Sequence, residues 1–298
     1  MYAATICPMR EDGAIDASTL AAHLSEVAGT EGMTGLLING HAGENFMLSR
    51  GEKQRVIEIA RAACPAASVI VCGINAEDSR EAQRHVADAE AAGADAVLIF
   101  PPFSWALSQD NEVAVRHHRM AMEGSRLPLF LYQAGVGAGK MAYTPDVLAR
   151  LAQLPGVVGI KEGSWEAAAY EANRRLVAEA APAVLMMASG DEHLFTCFAL
   201  GTEGSLVSLA CVVPALIVSL YQALQAGDLA AARQWNERIY PLAKAVYGTA
   251  PSGHAAARLK TCLKLLGRLE HDTMRAPMAP LPAAEVGMLQ RALQAAGL

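Results

Sequence analysis

Hydrophobic positions in this chain follow two alternating patterns. Short, nearly uninterrupted runs rich in Val, Ile and Leu occupy residues 2–7, 35–39, 68–72, 96–100, 129–132, 157–161, 184–188 and 205–209. Each run precedes a longer, Ala-rich amphipathic stretch: residues 18–28, 50–63, 78–92, 111–123, 145–153, 166–180, 192–200 and 214–226. The first pattern predicts strands buried on both faces, as parallel sheets require; the second predicts helices with one apolar face. Eight β-then-α units in succession predict an α/β chain folded as a (β/α)8 TIM barrel. An open doubly wound sheet shares the alternation. The count of eight and the lack of a Gly-rich fingerprint after the first run favour closure.

After Gly227 the pattern changes. Residues 228–246, 254–266 and 283–296 predict three helices with no strand between them. The expected organisation is a barrel over residues 1–227 and a C-terminal helical appendage over 228–298, jointed by the Gly- and Pro-rich segments 248–253 and 276–282.

Composition narrows the class. Of 298 residues, 53% are hydrophobic and 18% charged, which supports a large core and excludes a disordered chain. The net charge is −6 and no block of Lys or Arg occurs, so neither nucleic acid nor an anionic membrane is an expected partner. Six scattered cysteines without a C-x-x-C pair read as core residues in a reducing compartment. With no signal-like start, the expected location is the cytoplasm. Residues 206–224 are uncharged and nearly long enough to span a bilayer. Pro214 divides them, which predicts a buried strand followed by a helix.

Barrel active sites lie at the C-terminal ends of the strands. There the sixth run delivers its only amine, Lys161, and the fifth ends in Tyr132. Burial disfavours an ammonium ion, and a neutral amine can attack a carbonyl to form a Schiff base. Neighbouring strands lie about 4.8 Å apart, so a phenol and an amine would face one substrate. The second run ends in Gly40-His41-Ala42-Gly43-Glu44. Its glycines permit N–H groups to converge on an anion such as a carboxylate, and the positive end of the following helix would add to the attraction. Glu44 reads as a structural acceptor rather than an acid catalyst.

Together these features resemble the dihydrodipicolinate synthase / N-acetylneuraminate lyase family of pyruvate-handling class I aldolases and dehydratases. The resemblance spans nearly the whole chain. It rests on the eight βα units, the three final helices, G-x-x-G-E, Tyr132, the Gly159-Ile160-Lys161-Glu162 segment, and Thr5, Pro8, Asp12-Gly13 and Ile15-Asp16 near the start. It implies that Lys161 forms the Schiff base and that Tyr132 relays protons. It implies that the N–H groups of His41 and Ala42 hold the pyruvyl carboxylate, and that Leu206 lines the pocket. It further implies a 2-oxo acid substrate, no cofactor, no metal, and a homotetramer built as a dimer of dimers.

Departures from the synthase pattern bear on the substrate. His41 and Ala42 stand where the synthases have two threonines, the first a member of their proton relay. Pro102-Phe103-Ser104-Trp105 replaces a Pro-Tyr-Tyr segment and has no phenol. The stretch from Gln133 to Lys140 lacks the arginine that binds the aldehyde's carboxylate; Lys140 would restore charge but not bidentate geometry. His41 adds an imidazole for acid–base work near neutral pH, and Phe103 and Trp105 make the mouth apolar. The expected function is therefore a Schiff-base lyase acting on a 2-keto-3-deoxy acid or related 2-oxo acid. The alternatives are 4-hydroxy-tetrahydrodipicolinate synthase and a non-catalytic 2-oxo acid binder. A class II metal site from Asp191, Glu192, His193, His41 and Glu44 would leave Lys161 without a role. The Gly135–Gly139 run is followed by no helix, which argues against a nucleotide loop. His117 and His118 cannot share one helix face and are expected at the surface.

Overall fold

Each of the eight apolar runs forms a strand, and each strand pairs in parallel with the next. The computed structural model describes residues 1–107 and 110–298. Its strands are β1 (Tyr2–Ala4), β2 (Gly35–Ile38), β3 (Val69–Ile74), β4 (Ala96–Ile99), β5 (Leu129–Gln133), β6 (Val157–Glu162), β7 (Leu185–Ala188) and β8 (Gly204–Val207). Tyr2 pairs with Gly35 on one side and Leu206 on the other, so β8 closes onto β1 and the sheet has no edge. This closure excludes the open doubly wound arrangement.

Side-chain alternation along the strands sorts the core into two layers. Leu37, Val71, Leu98, Phe130, Met187 and Leu206 fill the barrel interior with Ala4 and Phe100. Their neighbours Leu36, Ile38, Ile70, Val97, Ile99, Leu131 and Val207 point outward, under the helices. The strands are therefore apolar at successive positions because both of their faces are covered.

The covering helices are α1 (Ala17–Ala28), α2 (Arg50–Ala63), α3 (Ser79–Ala91), α4 (Asn111–Ala121), α5 (Pro145–Ala152), α6 (Ala167–Ala180), α7 (Leu194–Leu200) and α8 (Pro214–Gln225). Asp16, Ser49 and Asp78 cap α1, α2 and α3 through side-chain acceptors, and Pro145 and Pro214 open α5 and α8. The uncharged segment at 206–224 divides between β8 and α8, and among the described residues no helix is long and apolar enough to cross a membrane. Three further helices follow: α9 (Leu229–Val246), α10 (Ala255–Leu265) and α11 (Ala283–Ala295).

One expectation about α4 is overturned. His117 and His118 are both buried. They do point in different directions, but α4 lies between α3 and α5, so each direction meets protein. His117 Nδ1 lies 2.9 Å from Ser79 Oγ. His118 Nδ1 bonds the Ala114 carbonyl at 2.8 Å, which leaves Nε2 to accept from the Tyr143 hydroxyl at 3.2 Å.

Candidate active site

The orientation of Lys161 depends on an irregularity in β6. Leu129 pairs with Val157, but Phe130 pairs with Gly159, so Val158 is skipped. This bulge resets the alternation. Val158 packs with the interior cluster, Ile160 points outward, and Lys161 turns into the barrel. Gly159 accompanies the bulge for a steric reason: a Cβ there would lie 2.5 Å from the Phe130 ring. Lys161 then pairs directly with Tyr132 on β5, with Nζ 5.5 Å from that ring's centroid and 6.0 Å from that of Phe100.

Burial governs the charges here. It pulls the Lys161 ammonium down from 10.5 to about 8, against the opposing pull of the Asp191 carboxylate. Asp191, at the end of β7, is itself buried and its pKa is raised, although its Oδ1 accepts the Leu209 N–H at 2.8 Å. Tyr132 is pushed up to about 12 by burial and by the negative charges of Glu162 and Asp191, so its phenol stays protonated. His41 falls to about 3, by burial first and by the Lys161 charge second. The imidazole is therefore neutral at physiological pH, which removes the expected acid–base role near neutrality.

After β2 the chain forms the expected tight turn. Gly43 N–H bonds the Gly40 carbonyl at 3.0 Å, Glu44 N–H the His41 carbonyl at 3.0 Å, and Asn45 N–H the Gly40 carbonyl at 3.3 Å. Among the described residues, the N–H groups of His41 and Ala42 donate to no acceptor. They are the donors that a carboxylate requires. The following helix adds little, because α2 begins only at Arg50 and the Ser49–Glu52 capping box already occupies two of the N–H groups at its start. Glu44 turns away from the cavity to pair with Lys260, and Glu192 pairs with Lys244, so of the three carboxylates considered for a metal site only Asp191 faces the cavity.

A cavity of about 500 Å³ opens above these groups. His41, Ala42, Tyr132, Lys161 and Asp191 line it, as do Ser189, Ser208, Tyr247 and Ser252. Leu206 lies deeper, fully buried in the barrel interior, and Ser208 supplies the lining from that strand's end. At the mouth, His41 stacks on Phe100 with centroids 4.0 Å apart, and Phe103 lies 5.5 Å from His41 and 6.0 Å from Phe46. Phe46 thus contributes the second exposed aromatic ring. Trp105, expected there, is buried instead with its ring edge-on to His117, because it falls on the inner side of the 3-10 turn Phe103–Ala106. Lys140 is exposed and lines a separate surface depression with Asn111 and Thr144, so it brings no charge to the cavity.

Sequence reasoning missed the contribution of the last helices. Ala255, Ala256 and Leu259 of α10 and Tyr247 beyond α9 form one wall. Nothing local to 247–259 marks them as site residues. Trp165, in the left-handed region at φ 64°, packs its ring 5.2 Å from that of Tyr247. Backbone held in that region by a bulky residue is strained, and such strain concentrates at functional sites.

Comparison with known proteins agrees with the architecture. The model of the dihydrodipicolinate synthetase family matches residues 1–296. A 4-hydroxy-tetrahydrodipicolinate synthase of Bifidobacterium longum is 30% identical over 298 residues, covering 99% of this chain and 93% of that protein. One from Methanothrix thermoacetophila is 32% identical over 285 residues, covering 94% and 91%. Among solved structures, YagE, a prophage protein of Escherichia coli K12 in complex with pyruvate, superposes with a TM-score of 0.90 at 23% identity, covering 100% of this chain and 98% of that one. This last likeness is one of fold.

Proposed function

The chain belongs to the dihydrodipicolinate synthetase family, whose members are class I aldolase-type lyases, and we propose that it handles pyruvate through a Schiff base on Lys161. In this reading the neutral amine attacks the C2 carbonyl of a 2-oxo acid whose carboxylate rests on the His41 and Ala42 N–H groups. Addition gives a carbinolamine whose hydroxyl carries a proton from the amine; Tyr132 donates the second proton as it leaves as water, and the resulting phenolate recovers a proton from the substrate as the protonated imine becomes an enamine. The remainder of the substrate is an uncharged, hydroxylated chain of the 2-keto-3-deoxy acid kind.

The observation carrying this choice is the charge of the cavity wall. Among the described residues that line it, Lys161 is the only cationic group. A second carboxylate would find no ammonium or guanidinium there. Hydroxylated carbons would instead meet Ser189, Ser208, Tyr247 and Ser252. The Tyr247 hydroxyl and His41 Nε2 are buried without partners, and bound hydroxyls would satisfy them.

The relatives' names favour the second reading, 4-hydroxy-tetrahydrodipicolinate synthase. In that case Asp191 would face the ammonium of aspartate semialdehyde. A substrate screen separates the two. The expected result is pyruvate release from a 2-keto-3-deoxy acid with kcat/KM about a hundredfold above that for aspartate semialdehyde with pyruvate. Efficient turnover of the semialdehyde overturns the first reading and establishes the second; binding of 2-oxo acids without turnover would point to a non-catalytic binder. The proposal extends to a cytoplasmic homotetramer, a dimer of dimers, for which sedimentation analysis is the check.

A further inference from the structure

Two fully buried charges lie just behind the turn that would receive the carboxylate. Glu44 ends that turn with φ 57°, a left-handed conformation that costs a non-glycine residue energy unless its surroundings enforce it. Its carboxylate is held from two sides. Oε1 pairs with Lys260 Nζ, and Oε2 accepts the Arg275 N–H at 3.4 Å. Lys260 Nζ also donates to the Thr273 carbonyl at 2.8 Å. The Arg275 guanidinium donates to the Met47 carbonyl at 2.7 Å and to Glu52 Oε2 at 3.0 Å, which fixes the far end of the same loop.

Lys260 belongs to α10, the helix whose Ala255, Ala256 and Leu259 line the cavity. One helix therefore walls the substrate on one side and grips the carboxylate-binding turn on the other. The grip is local in effect: Glu44 N–H bonds the His41 carbonyl at 3.0 Å, so the residue held by Lys260 closes the loop that contains both free N–H groups.

We infer that Lys260 is a positioning residue for the reaction, which acts through Glu44 to aim the His41 and Ala42 N–H groups at the substrate carboxylate. The pair carries no net charge, so its action is geometric: two donors about 3 Å from a carboxylate lose their hold when the turn shifts. The inference rests on the Schiff-base reading of Lys161. It makes α10 part of the substrate-binding machinery.

The test is trapping of pyruvate on Lys161 with cyanoborohydride, read by mass spectrometry over a range of pyruvate concentrations. Lys260→Met should raise the half-saturating pyruvate concentration by about tenfold or more, while the trapping rate at saturation stays within about threefold of the parent's. The double variant Glu44→Gln/Lys260→Met leaves no stranded charge and should show the same split, so it carries the measurement should the single variant fail to fold. Glu285→Gln removes the partner of Arg258, the other buried cation of α10, and should leave half-saturation unchanged. Unaltered half-saturation in the folded Lys260 variants overturns the inference alone, as does an equal rise in Glu285→Gln. A parent that forms no adduct on Lys161 overturns the Schiff-base reading together with it.

Discussion

In the proposed reaction the protonation of Lys161 sets when it can react, and burial moves that change toward neutrality. Burial lowers the ammonium from 10.5 to about 8. At about 1.36 kcal/mol per unit, a shift of that size corresponds to about 3 kcal/mol. At pH 7 about one amine in ten would be neutral, against about one in three thousand for an unperturbed lysine, so the site enriches the nucleophile by about 300-fold. The assay is single-turnover trapping at subsaturating pyruvate, from about pH 5.5 to about 9.5. The rate should climb about tenfold per unit below pH 8 and level above it. Asp191→Asn supplies the sign. Its carboxylate favours the ammonium, so its removal should lower the lysine pKa further and move the inflection to lower pH. A parent rate that is flat across the range, or an Asp191→Asn profile displaced to higher pH, refutes the argument that burial and Asp191 set the lysine's charge.

Two further substitutions probe the same pair of strands. Tyr132→Phe keeps the ring beside Phe100, at a centroid distance of 5.0 Å, and removes only the phenol proton. It should lower kcat by about 10²- to 10⁴-fold with little change in thermal unfolding, as steady-state kinetics and calorimetry would show. Gly159→Ala places a methyl 2.5 Å from the Phe130 ring, two residues before Lys161. It should cost about 1–3 kcal/mol in denaturant unfolding and slow trapping on Lys161, and Phe130→Leu in the same chain should recover part of both.

The barrel was legible because its periodicities are local. Strand runs separated by helical stretches report burial within a few residues, and the observed bounds differ mainly at the ends, in both directions: β3 continues to Ile74, beyond the run that ends at residue 72, whereas other strands stop short. The first run extends to residue 7, for example, while β1 ends at Ala4. Lys161 and Tyr132 were legible for the same reason, as polar tips of apolar strands. What escaped depends on geometry that no window contains. The bulge at Val158 decides that Lys161 faces inward, and it is visible only in the pairing register with β5. Trp105 leaves its expected place at the mouth because a 3-10 turn buries its ring, while the long turn after β2 exposes Phe46, for which the sequence carried no signal. His117 and His118 are buried because α4 has neighbours on two sides.

The C-terminal helices show the same limit most clearly. Lys260 and Glu44 are separated by 216 positions and carry opposite charges in unremarkable local contexts. A lysine in an amphipathic helix is ordinarily read as solvated, since an unpaired buried charge is costly. Here the partner exists, and it lies at the end of the turn whose His41 and Ala42 N–H groups donate to no acceptor among the described residues. Residues 228–298 looked like an appendage because they continue no barrel pattern. Their function becomes visible only when the cavity wall and the Glu44 pair are seen to share α10, so that the region which ends the chain helps to hold the site that begins after β2.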